Sequence, residues 1–225
     1  MQSQLTFDLR NITSHDGGDF FVSESNKTAY HFIENWEIWP SKKFVLSGPK
    51  SSGKTHLAYI WAKISGAGVI SANELKLPVD IPETNLVIED VHAIAGNKEQ
   101  EIALLHTHNL LHQNSFCLLM TGLGNPHRWP ISLPDLASRI EGAPLVVLDA
   151  PDDRLFAALL AKQFADRQLF PSPQVLNYLI TRLERSYEAT KLFVERADKA
   201  ALIQGRSITR ALARNILAEL STDSD

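Results

Sequence analysis

The most explicit chemistry in the chain lies in eight residues, Gly48, Pro49, Lys50, Ser51, Ser52, Gly53, Lys54 and Thr55, which read G-x-x-x-x-G-K-T. Such a loop suits a phosphate chain: its glycines let backbone N–H groups wrap the anion, and the helix N-terminus that follows adds positive field. Lys54 would reach the β- and γ-phosphates, and the Thr55 hydroxyl would ligate Mg²⁺. A second candidate is Asn85-Leu86-Val87-Ile88-Glu89-Asp90, an apolar run closing on two acids. In that pattern the first carboxylate holds the metal through water and the second orients the attacking water. The usual order is Asp then Glu, whereas here it is Glu89 then Asp90. Asp90 is one methylene shorter than the usual base, so slow intrinsic hydrolysis is expected.

Other chemistry-bearing residues read more plainly. His108 and His112 have the i,i+4 spacing of a metal pair, with His106 on the same helix, but no third ligand is evident and a solvated helix face is expected. Trp36, Trp39, Trp61 and Trp129 stand singly, beside prolines or in amphipathic stretches, as core residues do. Cys117 sits inside an apolar run as a small buried hydrophobe. Lys42 and Lys43 form a polar lead into a strand.

The elements that must position these groups follow from periodicity. Phe44-Val45-Leu46 before the loop reads as a strand, and Leu57, Ile60, Trp61 and Ile64 after it as a helix. Further strands are expected at 68–71, 85–90, 116–121 and 144–148, with helices at 98–114 and 133–140 between them. Strands alternating with helices imply an α/β core with a parallel sheet. Ahead of the loop, Ser25 or Asn26 would cap a helix carrying Ala29, Tyr30, Phe32, Ile33 and Trp36. From Pro151 the strand signal stops. Asp152, Pro173, Ser186 and Thr209 each mark a helix start, which gives a small all-helical domain. At the N-terminus, Gln4-Leu5-Thr6-Phe7-Asp8-Leu9 alternates apolar residues at Leu5, Phe7 and Leu9. That pattern suits an edge strand, or a peptide offered to a partner groove.

Composition bounds the rest. With 225 residues, 44% of them hydrophobic and 21% charged, the chain is an ordinary globular protein rather than a disordered or fibrous one. A net charge of −4 is the wrong sign for a protein whose main work is neutralising DNA phosphates. A single cysteine, no basic-then-apolar leader and no apolar run of membrane-spanning length lead to the expectation of a cytoplasmic protein with no membrane association.

Taken together, these residues resemble the AAA+ initiator family of bacterial replication, and most closely its short regulatory branch. The resemblance spans nearly the whole chain. Phe20-Phe21-Val22 with Asn26, Ala29 and Tyr30 is similar to the family's adenine-packing segment, which implies nucleotide contacts from Val22 and Asn26. Gly53-Lys54-Thr55-His56-Leu57 resembles its Walker A ending and adds His56 to the site. Met120-Thr121-Gly122 stands where sensor 1 does, with Thr121 as its polar residue. Leu133-Pro134-Asp135-Leu136-Ala137-Ser138-Arg139 is the most specific match, implying that Arg139 is a finger reaching a neighbour's nucleotide. Gln4, Leu5, Phe7 and Leu9 resemble the peptide by which the regulatory branch docks on the replication sliding clamp. A gapless match of the lid helix puts Glu188 where a sensor 2 arginine is expected, with Lys191 or Arg185 as substitutes.

The expectation is therefore a clamp peptide and linker at 1–18, a P-loop AAA+ domain at 19–150 and a helical lid at 151–225. It would bind ADP or ATP with Mg²⁺ between the domains. Its expected partners are the sliding clamp and the initiator DnaA, whose bound ATP it would drive to ADP, and a homodimer stays open. The chain stops after the lid, so no helix-turn-helix and no sequence-specific DNA binding are expected. Two alternatives remain: a self-sufficient ATPase loader or motor acting on DNA or a helicase, and a nucleotide-independent DNA-binding protein.

Overall fold

The computed structural model describes residues 20–79, 83–204 and 207–222. The terminal peptide Gln4 to Leu9 lies outside them. The chain forms two units, one from Ser25 to Asp149 and one that joins the residues from Ala150 onward to the segment ending at Glu24.

The first unit is built on five strands, β1 (Lys43–Gly48), β2 (Gly68–Ser71), β3 (Leu86–Glu89), β4 (Leu118–Leu123) and β5 (Leu145–Val147), in the spatial order β2-β3-β4-β1-β5. Every pairing is parallel, with Leu46 beside Thr121 and Ser47 beside Gly122. Parallel neighbours need crossover helices. Helix α1 (Lys27–Glu34) precedes the sheet, and α2 (Lys54–Ser65), α3 (Lys98–Gln113) and α4 (Pro134–Glu141) connect its strands.

Strand side chains alternate between faces, so each strand feeds two cores. Val45, Ile88, Leu118 and Met120 join Leu104 and Leu111 of α3 and Leu136 of α4 in one cluster. On the opposite face Phe44 stacks on Phe32 of α1 at 5.1 Å and packs on Trp39 at 5.0 Å, and Trp39 stacks on Trp61 of α2 at 4.9 Å. The four tryptophans are therefore core or rim residues, with Trp39, Trp61 and Trp129 buried. Cys117 is buried too, which pushes its thiol pKa up.

Two local expectations shift. Strand β4 begins and ends two residues later than its apolar run suggests, because the Phe116 amide closes α3 by donating to the Leu111 carbonyl. The ladder then continues through Gly122 and Leu123 against Ser47 and Gly48. Asn26 does occupy the N-cap position of α1, but its side chain makes no capping hydrogen bond.

The second unit contains α5 (Asp153–Asp166), α6 (Pro173–Ile180), α7 (Tyr187–Gln204) and α8 (Arg210–Thr222). Its helix starts follow the sequence signals. Asp152 accepts from the Leu155 amide at 2.8 Å, Ser186 from Ala189 at 3.1 Å and Thr209 from Leu212 at 3.2 Å, and Pro173 is the first residue of α6. Phe156, Leu160, Leu179, Phe193 and Ala213 share its core. No helix among the described residues is long and apolar enough to cross a membrane.

Candidate functional site

The loop between β1 and α2 has the geometry of an anion cradle. A Cβ on Gly48 would collide with the Leu148 carbonyl oxygen and lie 2.9 Å from Ser52 Oγ, so the strand end and the loop can close on each other only around a glycine. Gly53 takes φ 97°, a left-handed backbone that suits glycine, and so turns the chain directly into α2. The amides of Ser51, Ser52 and Gly53 donate to no acceptor among the described residues, and α2 opens without a side-chain cap. Backbone donors so arranged at the head of a helix are what a phosphate requires. Ser52 Oγ is buried with no partner, a second polar group aimed at the same space.

Lys54 is 7% exposed, and its Nζ donates to the Pro49 carbonyl at 2.6 Å and to the Gly48 carbonyl at 3.1 Å. Burial pushes its pKa below the usual lysine value, while the Asp90 carboxylate nearby works in the other direction. Thr55 and His56 follow on the exposed first turn of α2, and Pro49 and Lys50 are exposed on the loop. The sheet brings the second motif alongside. Glu89 ends β3, and Asp90, at φ 57°, turns the chain into the short helix Val91–Ile94. Its amide donates to Thr121 Oγ1 at 3.2 Å, so the acid at the end of β3 and the threonine of β4 are tied together. Thr121 is buried, and its own hydroxyl proton has no acceptor among the described residues. Loop, acid and threonine thus meet at the carboxyl ends of adjacent parallel strands, where α/β sheets bind ligands. No three His, Cys, Asp or Glu residues converge into a metal site among the described residues. A Mg²⁺ here would be held by Thr55, a nearby carboxylate and the phosphates themselves.

Arg139 sits elsewhere. Helix α4 runs back along the sheet, and the Arg139 carbonyl accepts a 2.8 Å hydrogen bond from Nζ of Lys43, the first residue of β1. The finger candidate is therefore at the opposite end of the sheet from the loop between β1 and α2. Its side chain is half-buried, with Nε unpartnered, and no carboxylate pairs with it among the described residues. His108 lies close by. Rather than facing solvent with His106 and His112, it is buried, and its pKa falls to about 4 through burial and the charges of Lys43, Arg139 and His112. The helix stripe 101, 104, 108, 111 carries it inward with the leucines. Lys42 and Lys43 are tethers, donating to the Ser115 and Arg139 carbonyls.

Val22 belongs to the helical unit and Asn26 to the sheet unit, where Asn26 is buried. Within the helical unit Glu188 begins α7, and Arg185 is engaged with Asp153.

One residue escaped the sequence reading. Glu101, fully buried in the first turn of α3, accepts hydrogen bonds from the Gly96, Ser132 and Leu133 amides and from the Ser132 hydroxyl, the last at 2.6 Å. Burial alone would raise its pKa, but the donated bonds outweigh it and hold the carboxyl below the usual range. It anchors the entry to α4, and hence Arg139. The available signal was a carboxylate three residues before Leu104 on the apolar stripe of α3.

No family model matches the sequence. The fold is similar to that of domain III of the replication initiation protein DnaA from Thermotoga maritima, with a TM-score of 0.75 and 18% identity over 89% of this chain and 94% of that one. It is also similar to replication initiator DnaA bound to AMPPCP and single-stranded DNA (TM-score 0.68, 21% identity, 87% of this chain and 66% of that one). The RuvB Holliday junction branch migration motor of Thermotoga maritima matches with a TM-score of 0.66 and 16% identity over 88% and 70% of the two chains. The chain shares the α/β fold of these proteins, with a helical C-terminal region. In sequence it is 27% identical over 189 residues to an uncharacterised protein of Haemophilus influenzae, covering 77% of this chain and 80% of that protein.

Proposed function

We propose that this chain is a nucleotide-binding regulator of replication initiation of the Hda type: held on the sliding clamp, it promotes hydrolysis of ATP bound to DnaA. The observation that carries the nucleotide part is the cradle itself, free loop amides and a buried, unpartnered Ser52 hydroxyl around the close approach of Gly48 to Leu148. An adenine nucleotide, ADP or ATP, would supply the phosphates that Lys54 and the loop amides neutralise, with Mg²⁺ between those phosphates, Thr55 and Glu89. Val22, Asn26 and His56 are assigned to the rest of the nucleotide, and Thr121 and Asp90 to the γ-phosphate side. Asp90 is the shorter acid and Glu188 falls at the sensor 2 place in the gapless match, so the chain's own hydrolysis is slow.

Arg139 is assigned to a partner's nucleotide. Its position at the far end of the sheet from its own loop supports a role outside its own site, because it cannot serve there. An arginine supplied in trans raises phosphoryl-transfer rates by about 10³ to 10⁵. Gln4, Leu5, Phe7 and Leu9 are assigned to the clamp, which would concentrate the chain near DnaA on newly copied DNA. The domain division at 1–18, 19–150 and 151–225 goes with this reading. The test is hydrolysis of DnaA-bound ATP with this protein and DNA-loaded clamp present, each then omitted. Stimulation that needs both is the expected result. Rapid DNA-stimulated turnover by the chain alone would instead make it a motor, as RuvB is described, and would overturn the proposal.

A further inference from the structure

In the helical unit, a cavity of about 460 Å³ is lined by Tyr178, Arg182, Arg210, Ala211 and Arg214. The guanidinium carbons of Arg182 and Arg210 lie 4.4 Å and 4.8 Å from the centre of the Tyr178 ring. Arg182 donates to the neighbouring Thr181 hydroxyl at 2.9 Å, and among the described residues none of the three arginines meets a carboxylate. Other arginines of the unit do: Arg167 holds Glu195 and Asp198, and Arg185 holds Asp153. The placement also runs against local preference. Arg210 is the first residue of α8, where the helix end is itself positive, and Arg214 is one turn on, a like charge at i,i+4. Three converging cations beside an amino-terminal helix end form a strong positive centre on a chain whose net charge is −4.

We infer that this cavity binds the phosphate backbone of a nucleic-acid strand, independently of base sequence and separately from the phosphate loop. Guanidinium forks match phosphate oxygens in two-point contacts. All three arginines are exposed on two helix ends rather than enclosing a chamber, so they suit phosphates spaced along a strand that passes across the surface. The Tyr178 ring is already faced by two guanidiniums, which leaves no stacking platform for a base and hence no route to sequence choice.

The experiment is fluorescence anisotropy of the full chain with a labelled 20-nucleotide deoxythymidine strand between 50 and 200 mM salt, compared with the variant R182Q/R210Q/R214Q. These are exposed positions, and an unchanged thermal midpoint confirms the variant's fold. The parent should bind at 50 mM salt, and the variant about tenfold or more weaker. The slope of log affinity against log salt should fall by about 2, since each phosphate contact on a single strand contributes about 0.7. A mixed-sequence strand should behave alike. The control K63Q/K76Q/K98Q removes the same charge elsewhere and should leave the slope unchanged. The inference is overturned if the parent fails to bind, if the arginine variant matches it, or if the control falls equally. It is also overturned if the arginines govern binding of pyrophosphate or polyglutamate but not of the strand. None of these outcomes touches nucleotide binding at Lys54, so this inference and the proposed function fail separately.

Discussion

Lys54 spends its donors on two carbonyls of its own loop, and those bonds keep a buried ammonium poised within the cradle. Replacing it by alanine removes the one buried point charge of the loop among the described residues, leaving the loop amides and the solvent-exposed Lys50. We expect Lys54→Ala to weaken adenine-nucleotide binding by at least about 100-fold, read by calorimetry with ADP. Undiminished affinity would remove the loop from the site. Arg139 makes the complementary case. Its guanidinium has no carboxylate to hold it among the described residues, yet its main chain is pinned by Lys43. Arg139→Ala should keep nucleotide binding and thermal stability and lose stimulation of DnaA's ATP hydrolysis. Arg139→Lys should fail nearly as badly, because a point charge does not reproduce the planar fork. A lysine variant as active as the parent would reduce Arg139 to a surface residue of α4.

At the scale of elements, α4 is held in place by one carboxylate. Glu101, itself fully buried, carries the Gly96 turn and the Ser132-Leu133 entry to α4 on its two oxygens. Glu101→Ala leaves three amides and a hydroxyl without an acceptor, so we expect a loss of about 3 kcal/mol or more in urea unfolding. If the variant is as stable as the parent, another group positions α4. Helix α3 also carries the acid sensitivity of this unit. His108 titrates at about 4 in the folded chain against an ordinary 6.5, so between those values the unfolded chain binds the extra proton. Stability from this residue is therefore fully present above about pH 6.5 and declines as pH falls toward 4, by up to about 3 kcal/mol. His108→Gln should flatten the loss between pH 6.5 and 5, a range above the titration of Glu101, whose depressed pKa confines its contribution to lower pH. An unchanged pH profile would contradict the buried placement.

For the whole molecule, the proposed division of labour separates a tether, a nucleotide site and a finger. Exchanging Gln4 and Leu5 for alanine should abolish capture on immobilised sliding clamp while leaving thermal stability and nucleotide affinity at parent values, since a short terminal peptide adds little to a core. It should also remove clamp-dependent stimulation of DnaA. Undiminished capture would place the tether elsewhere. Stimulation that survives without capture would separate the regulatory step from the clamp.

Local signals sufficed wherever the physics is local. The phosphate loop, the parallel α/β alternation and the helix starts at Asp152, Pro173, Ser186 and Thr209 were legible in the sequence because each depends on the residue itself and its near neighbours: a glycine that accepts an unusual φ, a proline without an amide, a side-chain oxygen three residues from a free N–H. What only the tertiary structure decided involves partners distant in the chain. Glu101 meets residues about thirty positions away, and His108 looks polar in sequence but is carried inside by the stripe of α3. Arg139 shares its strand end with Lys43, nearly a hundred residues earlier, because a crossover helix must return to the start of the next parallel strand. The three arginines around Tyr178 converge for the same reason: α6 and α8 are packed against one core, and charge repulsion between them is visible only once that packing is known.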